Sequence, residues 1–544
     1  MNFEVGNELN EKTKLLISEM EKTIEAKNNE LQAKEAEINK LKNELNYLRN
    51  QILNKNKKIF GASSEKVESN QLSLFDEAEK NSDVKVAEPK LEEITYKRKK
   101  ASHNGKKDNL ANLERVIVEH KLKNDETICS TCNGELTIIG SKSKEILKYI
   151  PAKLYIEEHI TYSYACKNCE NNTGDTKISS TKSPKSIIHK SMASNELLSH
   201  VIVMKYLHSL PLYRQENYFK MLGANLSRQT LSNWIIGVSN AFEPIYSFMK
   251  DKLLKSHYVQ ADETTLKVIN DNGNEAKSKK YMWLYKNCSS KTPIILYDYQ
   301  KTRSSSCPKN FLKYFSGYLQ TDGYSGYNSV CNAKRLYCLA HIRRKYHEII
   351  INLNEEALKK SRAIIGFNFC EQLYKIEKEI REEYSDKENF YEKRKEIRNK
   401  ETKVILENFE KYVQVELENA LPKSPLGKAL EYTQKFLPKM KLILEDGSLE
   451  IDNNAAERAI KSFVIGRKNW LFSNTPKGAV SSATLYSIIE TAKANNLIVE
   501  KYLIHLMNSL SEVDIITDKL LEELMPWNDN LPKELRIVAP KKQN

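Results

Sequence analysis

Near the N-terminus, apolar residues recur every seven positions from residue 17 to residue 52. The first core position holds Ile17, Ile24, Leu31, Ile38, Leu45 and Ile52. The second holds Met20, Leu41 and Leu48, and it is interrupted by Lys27 and Lys34. A sustained heptad predicts a coiled coil over residues 8–58, and β-branched residues at the first position favour two strands. We favour self-association into a homo-oligomer; a single long helix folded back on the protein is the alternative.

Polar and charged residues dominate the next segment, residues 59–115, which predicts a linker with little core. The linker carries a basic patch formed by residues 96–100 together with Lys106 and Lys107. Solvated linker charge explains this patch at least as well as contacts with a DNA backbone.

Two Cys-x-x-Cys pairs mark a predicted zinc-binding domain at residues 116–185, where strand-like runs such as residues 153–164 return. The pairs are Cys129 with Cys132 and Cys166 with Cys169. Four thiolates can close a structural zinc site, and strands between them suit a zinc ribbon, although the intervening stretch is unusually long. Redox pairs or unrelated core cysteines are the alternatives. Buried apolar packing is predicted for the other cysteines, Cys288, Cys307, Cys331, Cys338 and Cys370.

Residues 190–250 are predicted to be helical and to contain a segment like a helix-turn-helix, residues 223–234. In this segment a glycine turn and a serine precede an amphipathic helix. Ser227 is expected to cap that helix, with Arg228, Gln229 and Ser232 facing outward toward a DNA groove or phosphates. An ordinary helical hairpin explains the same pattern equally well.

An α/β pattern occupies residues 255–495. Strands are predicted at residues 258–268, 281–287 and 293–299, then a helix at 308–315, a strand ending at Asp322 and a short strand at 335–339. This order matches a ribonuclease-H-like domain, and the charged residues 350–425 predict a helical insertion in it. Residues 496–544 predict a helical tail. The predicted fold class is therefore multidomain α+β: an N-terminal coiled coil, a zinc-ribbon-like domain, a helical DNA-binding region, a ribonuclease-H-like α/β catalytic domain with a helical insertion, and a helical C-terminus.

The composition and charge of the chain indicate which class of partner it binds. The chain has 544 residues, with 86 Lys and Arg against 72 Asp and Glu, and a formal net charge of +14. This excess favours a nucleic-acid partner, although a lysine-rich surface alone also explains it. The first ten residues are polar rather than a signal peptide, and no apolar run approaches the length that spans a bilayer. These features predict a cytoplasmic, nucleoid-associated protein with no membrane partner.

Three acids that are distant in the sequence are candidates for a metal site: Asp262, Asp322 and Glu457. Asp262 lies in an apolar-leaning strand, where burial is unfavourable unless the carboxylate binds a cation; Glu263 is expected on the opposite sheet face. Asp322 precedes a glycine, so an ordinary Asp-Gly turn explains it too. Glu457 lies on a polar helix face, although Asn454 three residues earlier also fits a helix-capping pair.

Cleavage of DNA phosphodiesters commonly uses two divalent metal ions about 4 Å apart, and magnesium prefers carboxylate oxygens. Three converging acids would therefore suffice for Mg²⁺ or Mn²⁺, and Asp298, in a more polar strand end, ranks lower. Basic and aromatic residues near the acids and in the helical region are predicted to contact DNA, with surface charge or core packing as the alternative. They are Arg228, Arg343, Arg344, Arg458, Lys461, Arg467, Lys468 and Trp470.

Several motifs together resemble the IS66 insertion-sequence family of transposases, within the DDE superfamily, over nearly the whole chain. The matching segments are residues 59–66, the two cysteine pairs, and residues 261–264, 321–324, 453–460, 466–472 and 486–493. The combination is highly specific, whereas each segment alone would be weak.

The resemblance implies a ribonuclease-H-like domain with a helical insertion and an Asp-Asp-Glu triad at Asp262, Asp322 and Glu457, which would bind two Mg²⁺ or Mn²⁺ ions. It implies hydrolysis of a phosphodiester at the element's end, then attack of the freed 3′-hydroxyl on target DNA, with accessory proteins encoded by the element. The alternatives are a nuclease or resolvase that only cuts, and a non-catalytic zinc-containing DNA-binding regulator. A coiled-coil scaffold would leave the α/β core unexplained.

Overall fold

The computed structural model describes residues 152–165, 178–181, 185–271, 274–275, 279–351 and 353–537, with isolated positions 22, 23, 27, 34 and 117. Of the predicted coiled coil only the four isolated positions are described, and they are helical. The linker and the four cysteines predicted to bind zinc lie outside the described residues. Contacts divide the chain into two units, residues 83–349 with 359–544, and residues 1–82 with 350–358. The sheet and the three candidate acids belong to the first unit.

A five-stranded sheet forms the centre of this unit. Its strands and the smaller ones around it are β1 (Ser163–Ala165), β2 (Ile178–Ser180), β3 (Tyr258–Leu266), β4 (Asn270–Asp271), β5 (Asn274–Glu275), β6 (Lys280–Asn287), β7 (Ile295–Gln300), β8 (Tyr318–Thr321) and β9 (Lys334–Tyr337). The sheet order is β7–β6–β3–β8–β9, and β1–β2 and β4–β5 form separate antiparallel pairs. β6 runs antiparallel to β3 and β7, whereas β8 runs parallel to β3 and β9.

Helices form the rest of the described fold. They are α1 (Asn195–Tyr206), α2 (Leu212–Met221), α3 (Arg228–Ala241), α4 (Glu243–Leu254), α5 (Ser306–Phe311), α6 (Leu339–Ile350), α7 (Glu355–Lys360), α8 (Ala363–Tyr384), α9 (Phe390–Ile397), α10 (Lys403–Asn419), α11 (Pro425–Met440), α12 (Asn454–Trp470), α13 (Pro476–Ala494), α14 (Val499–Glu512) and α15 (Asp518–Leu524). A π-helical turn, Arg398–Thr402, joins α9 to α10. Short 3₁₀ segments lie at Ser325–Ser329, Lys441–Leu444 and Lys533–Leu535. None of the described helices is both long and apolar enough to cross a bilayer.

The strands predicted between residues 258 and 339 are all present, with only small shifts at their ends. The crossover helix is shorter than predicted, because α5 ends at Phe311 and the chain then turns to bury Leu312 and Phe315. The strand-like run predicted at residues 153–164 is wrong over most of its length. Only its last residues pair, in β1, while side chains such as Ile156, 94% exposed, lack the packing that a strand needs.

The two faces of the sheet are covered by different helices. On one face, Tyr297 of β7 packs against Phe463 of α12, with ring centroids 6.2 Å apart. On the other face, Tyr285 of β6 stacks on Phe311 of α5 at 3.9 Å. α13 closes the open edge of β7, where the Ser487 hydroxyl accepts a 2.7 Å hydrogen bond from the Tyr297 backbone N–H. Covering an edge in this way blocks pairing with another strand.

The helical region before the sheet contains the predicted turn and cap. Gly223 between α2 and α3 has φ of +92°, a conformation that glycine adopts without strain. Ser227 is the N-cap of α3, and its hydroxyl accepts a 3.1 Å hydrogen bond from the Thr230 backbone N–H. Arg228 and Gln229 are exposed, while Ser232 is half-buried. The cap is therefore confirmed.

A buried ion network joins the helical insertion to the chain that leads into α12. Glu377 of α8 accepts hydrogen bonds from Arg394, at 2.6 Å, and from Arg398, at 2.6 Å. Arg394 also donates to Glu450 at 2.8 Å, and Arg398 donates to the Ile443 carbonyl at 3.1 Å. Charges buried this deeply need partners of opposite charge. The insertion thus holds the segment that precedes α12.

Buried packing is confirmed for three of the five remaining cysteines, Cys307, Cys338 and Cys370. It is wrong for Cys331, which is exposed, and incomplete for Cys288, which is partly exposed. Cys331 follows the 3₁₀ segment in a surface turn before β9, where its thiol donates to the Ser329 carbonyl at 3.5 Å.

Candidate functional site

Asp262 and Asp322 lie at matching positions of two neighbouring parallel strands. The register of β3 and β8 pairs Tyr258 with Tyr318 and Gln260 with Gln320. Asp262 lies two residues beyond Gln260, and Asp322 two residues beyond Gln320 and directly after β8. Because side chains alternate along a strand, each Asp is on the same sheet face as its Gln. Neighbouring strands are about 4.8 Å apart, so the two Asp residues are adjacent.

The two glutamines dock the start of α12 on this face of the sheet. Gln260 donates to the Gln320 side-chain oxygen at 2.7 Å and to the Asp452 carbonyl at 2.9 Å. Its own side-chain oxygen accepts from the Ala456 N–H at 3.1 Å. Gln320 donates to the Glu450 carbonyl at 2.9 Å. Both glutamine side chains are fully buried, so α12 begins over the two aspartates.

Glu457 lies in the first part of α12, and it is not part of a capping pair. The Asn454 side chain instead donates to the Asp452 carboxylate at 2.7 Å. One carboxylate oxygen of Glu457, Oε1, is buried and has no hydrogen-bond partner. Burial raises the pKa of Glu457, and the Arg344 charge opposes that effect while Asp452 adds to it. Glu457 therefore presents an unpaired oxygen at the site.

The strand register and the docking of α12 bring the three acids close together, and their charges act on one another. The pKa of Asp262 is raised well above its usual value, first by burial, then by the charges of Glu263, Glu457 and Asp322. Its Oδ1 accepts a 2.8 Å hydrogen bond from the Glu263 N–H. Like charges held together in a partly buried place favour protonation or a bound cation. The structure therefore brings these three predicted residues together.

Asp322 is both a turn residue and a member of this group. Its Oδ1 accepts from the Tyr324 N–H at 2.9 Å, which is the Asx turn expected of an Asp-Gly sequence. Arg335 of β9 holds the same turn: it donates to the Asp322 carbonyl at 2.9 Å, to the Tyr324 carbonyl at 2.7 Å and to the Thr321 hydroxyl at 3.0 Å. The turn therefore fixes the backbone of Asp322 rather than competing with its place beside Asp262.

Glu263 points away from this group, as strand alternation predicts. Its carboxylate accepts from the Tyr327 hydroxyl at 2.6 Å and forms an ion pair with Arg303. Tyr327 in turn packs against Trp283, with ring centroids 5.4 Å apart. Burial raises the pKa of Glu263 and the Asp322 charge adds to that effect, while the Tyr327 and Arg303 contacts oppose it. Glu263 thus has its own partners on the opposite face.

Two residues at the start of α6 belong to the site although sequence reasoning did not single them out. The ligand atoms of Cys338, His341 and Glu457 all lie within 4.8 Å of one another. His341 Nδ1 is 3.9 Å from Glu457 Oε1, and it too is buried without a hydrogen-bond partner. Burial lowers the pKa of His341 to about 4, with the charge of Arg344 contributing. The signal in the sequence was the Cys-x-x-His spacing of 338–341 at a helix start.

Three of the predicted basic residues lie near the acids. The charges of Arg344 and Lys461 act on Glu457 and favour its ionised form. Arg467, near the end of α12, donates to the Thr264 hydroxyl at 3.0 Å, two residues beyond Asp262 on β3. These contacts place positive charge around the acidic group.

Other predicted basic residues have acidic partners or surface positions. Arg228 is 3.5 Å from the Glu216 carboxylate on α2, and its side chain is 70% exposed. Arg343 pairs with Glu371 of the insertion. Lys468 is exposed. Arg228 and Arg343 would therefore have to leave these carboxylates to bind a phosphate.

The end of α12 presents apolar side chains to solvent. Trp470 is partly buried and packs against Phe463, with ring centroids 5.5 Å apart. The next two residues are more exposed, Leu471 at 66% and Phe472 at 41%, and Leu471 has φ of +63°.

At the other end of the helix, Arg458 lines a surface cavity of about 350 Å³.

Sequence comparisons identify related proteins for most of the chain. A family model described as "Transposase IS66 family" matches residues 190–481. One described as "zinc-finger binding domain of transposase IS66" matches residues 126–170, which include both Cys-x-x-Cys pairs. A third, described as "Transposase C of IS166 homeodomain", matches residues 47–118.

Three proteins of Sinorhizobium fredii (strain NBRC 101917 / NGR234) are similar to the chain, and their names state no activity. The chain is 29% identical to y4jD over 432 residues, which cover 76% of this chain and 79% of y4jD. It is 27% identical to y4qI over 436 residues, or 77% and 76% of the two chains. It is 24% identical to y4hP over 436 residues, or 76% and 74%.

Proposed function

The chain belongs to the IS66 family of transposases, and we propose that it cuts and joins DNA at the ends of an insertion sequence by a DDE mechanism. Asp262, Asp322 and Glu457 form the catalytic triad in this proposal. The observation that carries it is the parallel register of β3 and β8, which sets the two aspartates side by side under the start of α12. The strand order β7–β6–β3–β8–β9 supports a ribonuclease-H-like catalytic domain.

The three acids suit a pair of Mg²⁺ or Mn²⁺ ions. Carboxylate oxygens are the ligands that these ions prefer. One carboxylate oxygen of Glu457 is buried and unpaired, and burial together with the neighbouring carboxylates raises the pKa of Asp262; a nearby cation would relieve both. Two such ions, when bound, would activate the attacking oxygen and neutralise charge on the leaving oxygen.

Other side chains of this unit have distinct tasks in the proposal. The Gln260–Gln320 pair and the Arg335 clamp hold the aspartates in place. Arg344 and Lys461 oppose the rise that burial causes in the Glu457 pKa, and they attract the phosphate backbone. Arg228, Arg343, Arg458, Arg467, Lys468 and Trp470 complete the proposed DNA-binding set.

The remaining parts of the proposal concern segments outside the described residues. Cys129, Cys132, Cys166 and Cys169 would bind one structural zinc ion, which the match to the zinc-finger family supports. Residues 8–58 would join copies of the chain through a coiled coil. The proposal also includes the domain boundaries predicted from the sequence, association of the protein with the nucleoid, and cooperation with accessory proteins encoded by the element.

The triad is tested by comparing two substitutions, each of a half-buried aspartate in the same sheet. Asp262→Asn removes the charge and keeps the shape; it should abolish both cleavage and joining of DNA that carries the element's terminal repeats. Asp298→Asn is the matched control, because Asp298 is a half-buried acid of β7, outside the proposed triad, and burial raises its pKa to about 6. Equal activity of Asp262→Asn and the wild type would refute the triad.

The same substrate separates the alternatives. A transposase joins the freed 3′ ends to a target plasmid, whereas a nuclease or resolvase of the same fold releases ends without strand transfer. A regulator binds DNA and retains its function when Asp262 is replaced. Joined products that disappear in Asp262→Asn would therefore favour the transposase over both.

A further inference from the structure

Cys338 and His341 have no task in the proposed DNA chemistry, yet both lie against Glu457. We propose that Cys338, His341 and Glu457 form an additional metal site for zinc or a similar borderline ion, and that its occupation inhibits the enzyme by withdrawing Glu457 from the magnesium-binding acids. The binding site stands on its own geometry, whereas the inhibition rests on the proposed function of Glu457.

The donor set decides which ion this site would take. A thiolate and an imidazole are ligands of zinc and other transition metals, whereas magnesium takes hard oxygen ligands. Only Glu457 could serve both kinds of ion. Zinc also binds nitrogen and sulfur donors more tightly than the lighter divalent ions Mn²⁺ and Fe²⁺ do. The two sites therefore compete for one carboxylate and differ in the ion they prefer.

The distances are close to those of a coordinated ion. Zinc bonds of about 2.0–2.3 Å in a tetrahedron separate ligand atoms by roughly 3.3–3.8 Å. His341 Nδ1 and Glu457 Oε1 are 3.9 Å apart. All three ligand atoms lie within 4.8 Å of one another. Side-chain rotations that move these atoms by about 1 Å would complete the site. The fourth position would be left to water.

The surroundings of the three ligands also favour an ion. His341 Nδ1 and Glu457 Oε1 are buried without hydrogen-bond partners, and coordination would satisfy both. Burial raises the pKa of the Cys338 thiol, and the Asn453 N–H, which donates to Cys338 Sγ at 3.2 Å, opposes that effect; a bound cation would oppose it further. On binding, the thiol proton passes to solvent as the sulfur–metal bond forms. The His341 and Glu457 side chains are 23% and 20% exposed, which gives an ion access.

Cobalt binding tests the site without any DNA. The full chain, with its zinc-finger cysteines loaded with Zn²⁺, is titrated with Co²⁺ while the thiolate-to-cobalt charge-transfer absorption is recorded. The wild type should gain this absorption, and Cys338→Ser should not. Cys370→Ser, which alters another buried thiol, should behave as the wild type. Exchange into the zinc-finger cysteines would add equally to all three, so only the difference between variants counts.

A second variant covers a possible folding defect. Circular dichroism of Cys338→Ser establishes that it is folded, and His341→Ala should keep the thiolate absorption but require at least about tenfold more Co²⁺, as expected for loss of a ligand. The site would be ruled out by a wild type without the absorption, or by a folded Cys338→Ser that absorbs like the wild type.

Zinc inhibition then tests the shared carboxylate. DNA cleavage at fixed Mg²⁺ is measured against added Zn²⁺, with each variant normalised to its own activity without added zinc. Half-inhibition of Cys338→Ser should need at least about tenfold more Zn²⁺ than that of the wild type, and extra Mg²⁺ should relieve the wild type. Equal inhibition of both would refute the shared carboxylate. If Co²⁺ binds as expected but no protein cleaves DNA, the proposed function fails while the metal site stands.

Discussion

Gln260 of β3 donates a 2.7 Å hydrogen bond to the Gln320 side chain of β8, and this bond joins the two strands directly beside the aspartates. Gln260 also binds the backbone on either side of the α12 start, at Asp452 and Ala456. A single buried amide therefore links all three chain segments that carry the candidate acids. Its replacement should disturb the site without removing any acid.

Gln260→Leu should lower both stability and activity. Leucine keeps much of the volume but leaves the Asp452 carbonyl without its partner, at a cost of about 1–3 kcal/mol for that buried group. The Ala456 N–H loses one of its two acceptors and keeps the Asn453 carbonyl. A fall in the thermal unfolding midpoint and a lower rate of DNA cleavage would both be measured.

The control for this change is Gln300→Leu in β7. Among the described contacts, the Gln300 side-chain amide donates only to the carboxylate of Asp298, two residues away, at 2.8 Å. Its effect on the unfolding midpoint should be small. Equal effects of the two substitutions would contradict the linking role of Gln260.

Arg335→Lys should reduce activity more than stability. Lysine keeps the charge but cannot hold the Thr321 hydroxyl and the Asp322 and Tyr324 carbonyls at once, because it lacks the planar fork of a guanidinium. A loosened Asp322 should slow cleavage roughly ten- to a hundredfold and raise the Mg²⁺ concentration needed for half-maximal rate. The rate is measured against Mg²⁺ concentration.

Lys334→Ala provides the comparison, since Lys334 is the exposed neighbour on β9 and pairs with Glu445 at 3.2 Å. An unchanged Mg²⁺ requirement in Arg335→Lys would show that the clamp does not control Asp322.

The order of the strands and the position of each acid in its strand or helix could be predicted, because both follow from local patterns of hydrophobic and polar residues. Tyr-x-Gln-x-Asp occurs twice, at residues 258–262 and 318–322, and the two copies lie side by side in β3 and β8. The prediction for each Asp rests on the residues around it and not on this repetition. The repeat was visible, but its meaning depends on a parallel register that only the folded sheet provides.

The contacts around α6 could not be predicted in the same way. His341 approaches Glu457 across more than a hundred residues, through the docking of α12 on the sheet. The run at residues 153–164 shows the opposite failure, because its β-favouring residues pair with other described residues only at the end of the run, in β1. Strand pairing and helix docking depend on residues that are distant in the sequence, so the pattern of one segment does not predict them.

The insertion should become less stable in acid. Burial alone would raise the pKa of Glu377, but the Arg398 and Arg394 charges outweigh it and hold the pKa below its usual value of 4.5. A carboxylate with a depressed folded pKa contributes stability that is present above the unfolded pKa and is lost as pH falls through the folded one. The unfolding midpoint should therefore drop as pH is lowered from 6 to about 3.5.

Glu377→Gln should remove this part of the pH dependence and lower stability near pH 7 by about 3–5 kcal/mol, because two buried arginines lose their common partner. Glu379→Gln, on the exposed side of α8 opposite Lys375 at 3.9 Å, should leave the pH profile unchanged. Parallel pH profiles of Glu377→Gln and the wild type would contradict the role of the network.

The zinc-finger cysteines should hold one zinc ion independently of the acids. Cys166→Ser removes one of four ligands and should reduce the tightly bound zinc, measured by elemental analysis after dialysis, by one ion per chain. Asp262→Asn should retain it, since carboxylates of the triad are not ligands of that ion. Undiminished zinc in Cys166→Ser would rule out the four-cysteine assignment.

Lys468 and Arg467 should affect DNA binding in different ways, although they are neighbours on α12. Lys468 is exposed, so Lys468→Ala should weaken binding to any DNA sequence and reduce the slope of log affinity against log salt by about 0.9, as for the loss of one phosphate contact. Arg467 donates to Thr264 beside the acids, so Arg467→Ala should lower the cleavage rate of bound DNA as well. Fluorescence anisotropy at several salt concentrations, combined with cleavage at saturating protein, separates the two effects. An unchanged salt slope in Lys468→Ala would remove Lys468 from the DNA-binding set, because an exposed lysine that contacts a phosphate must release a counterion.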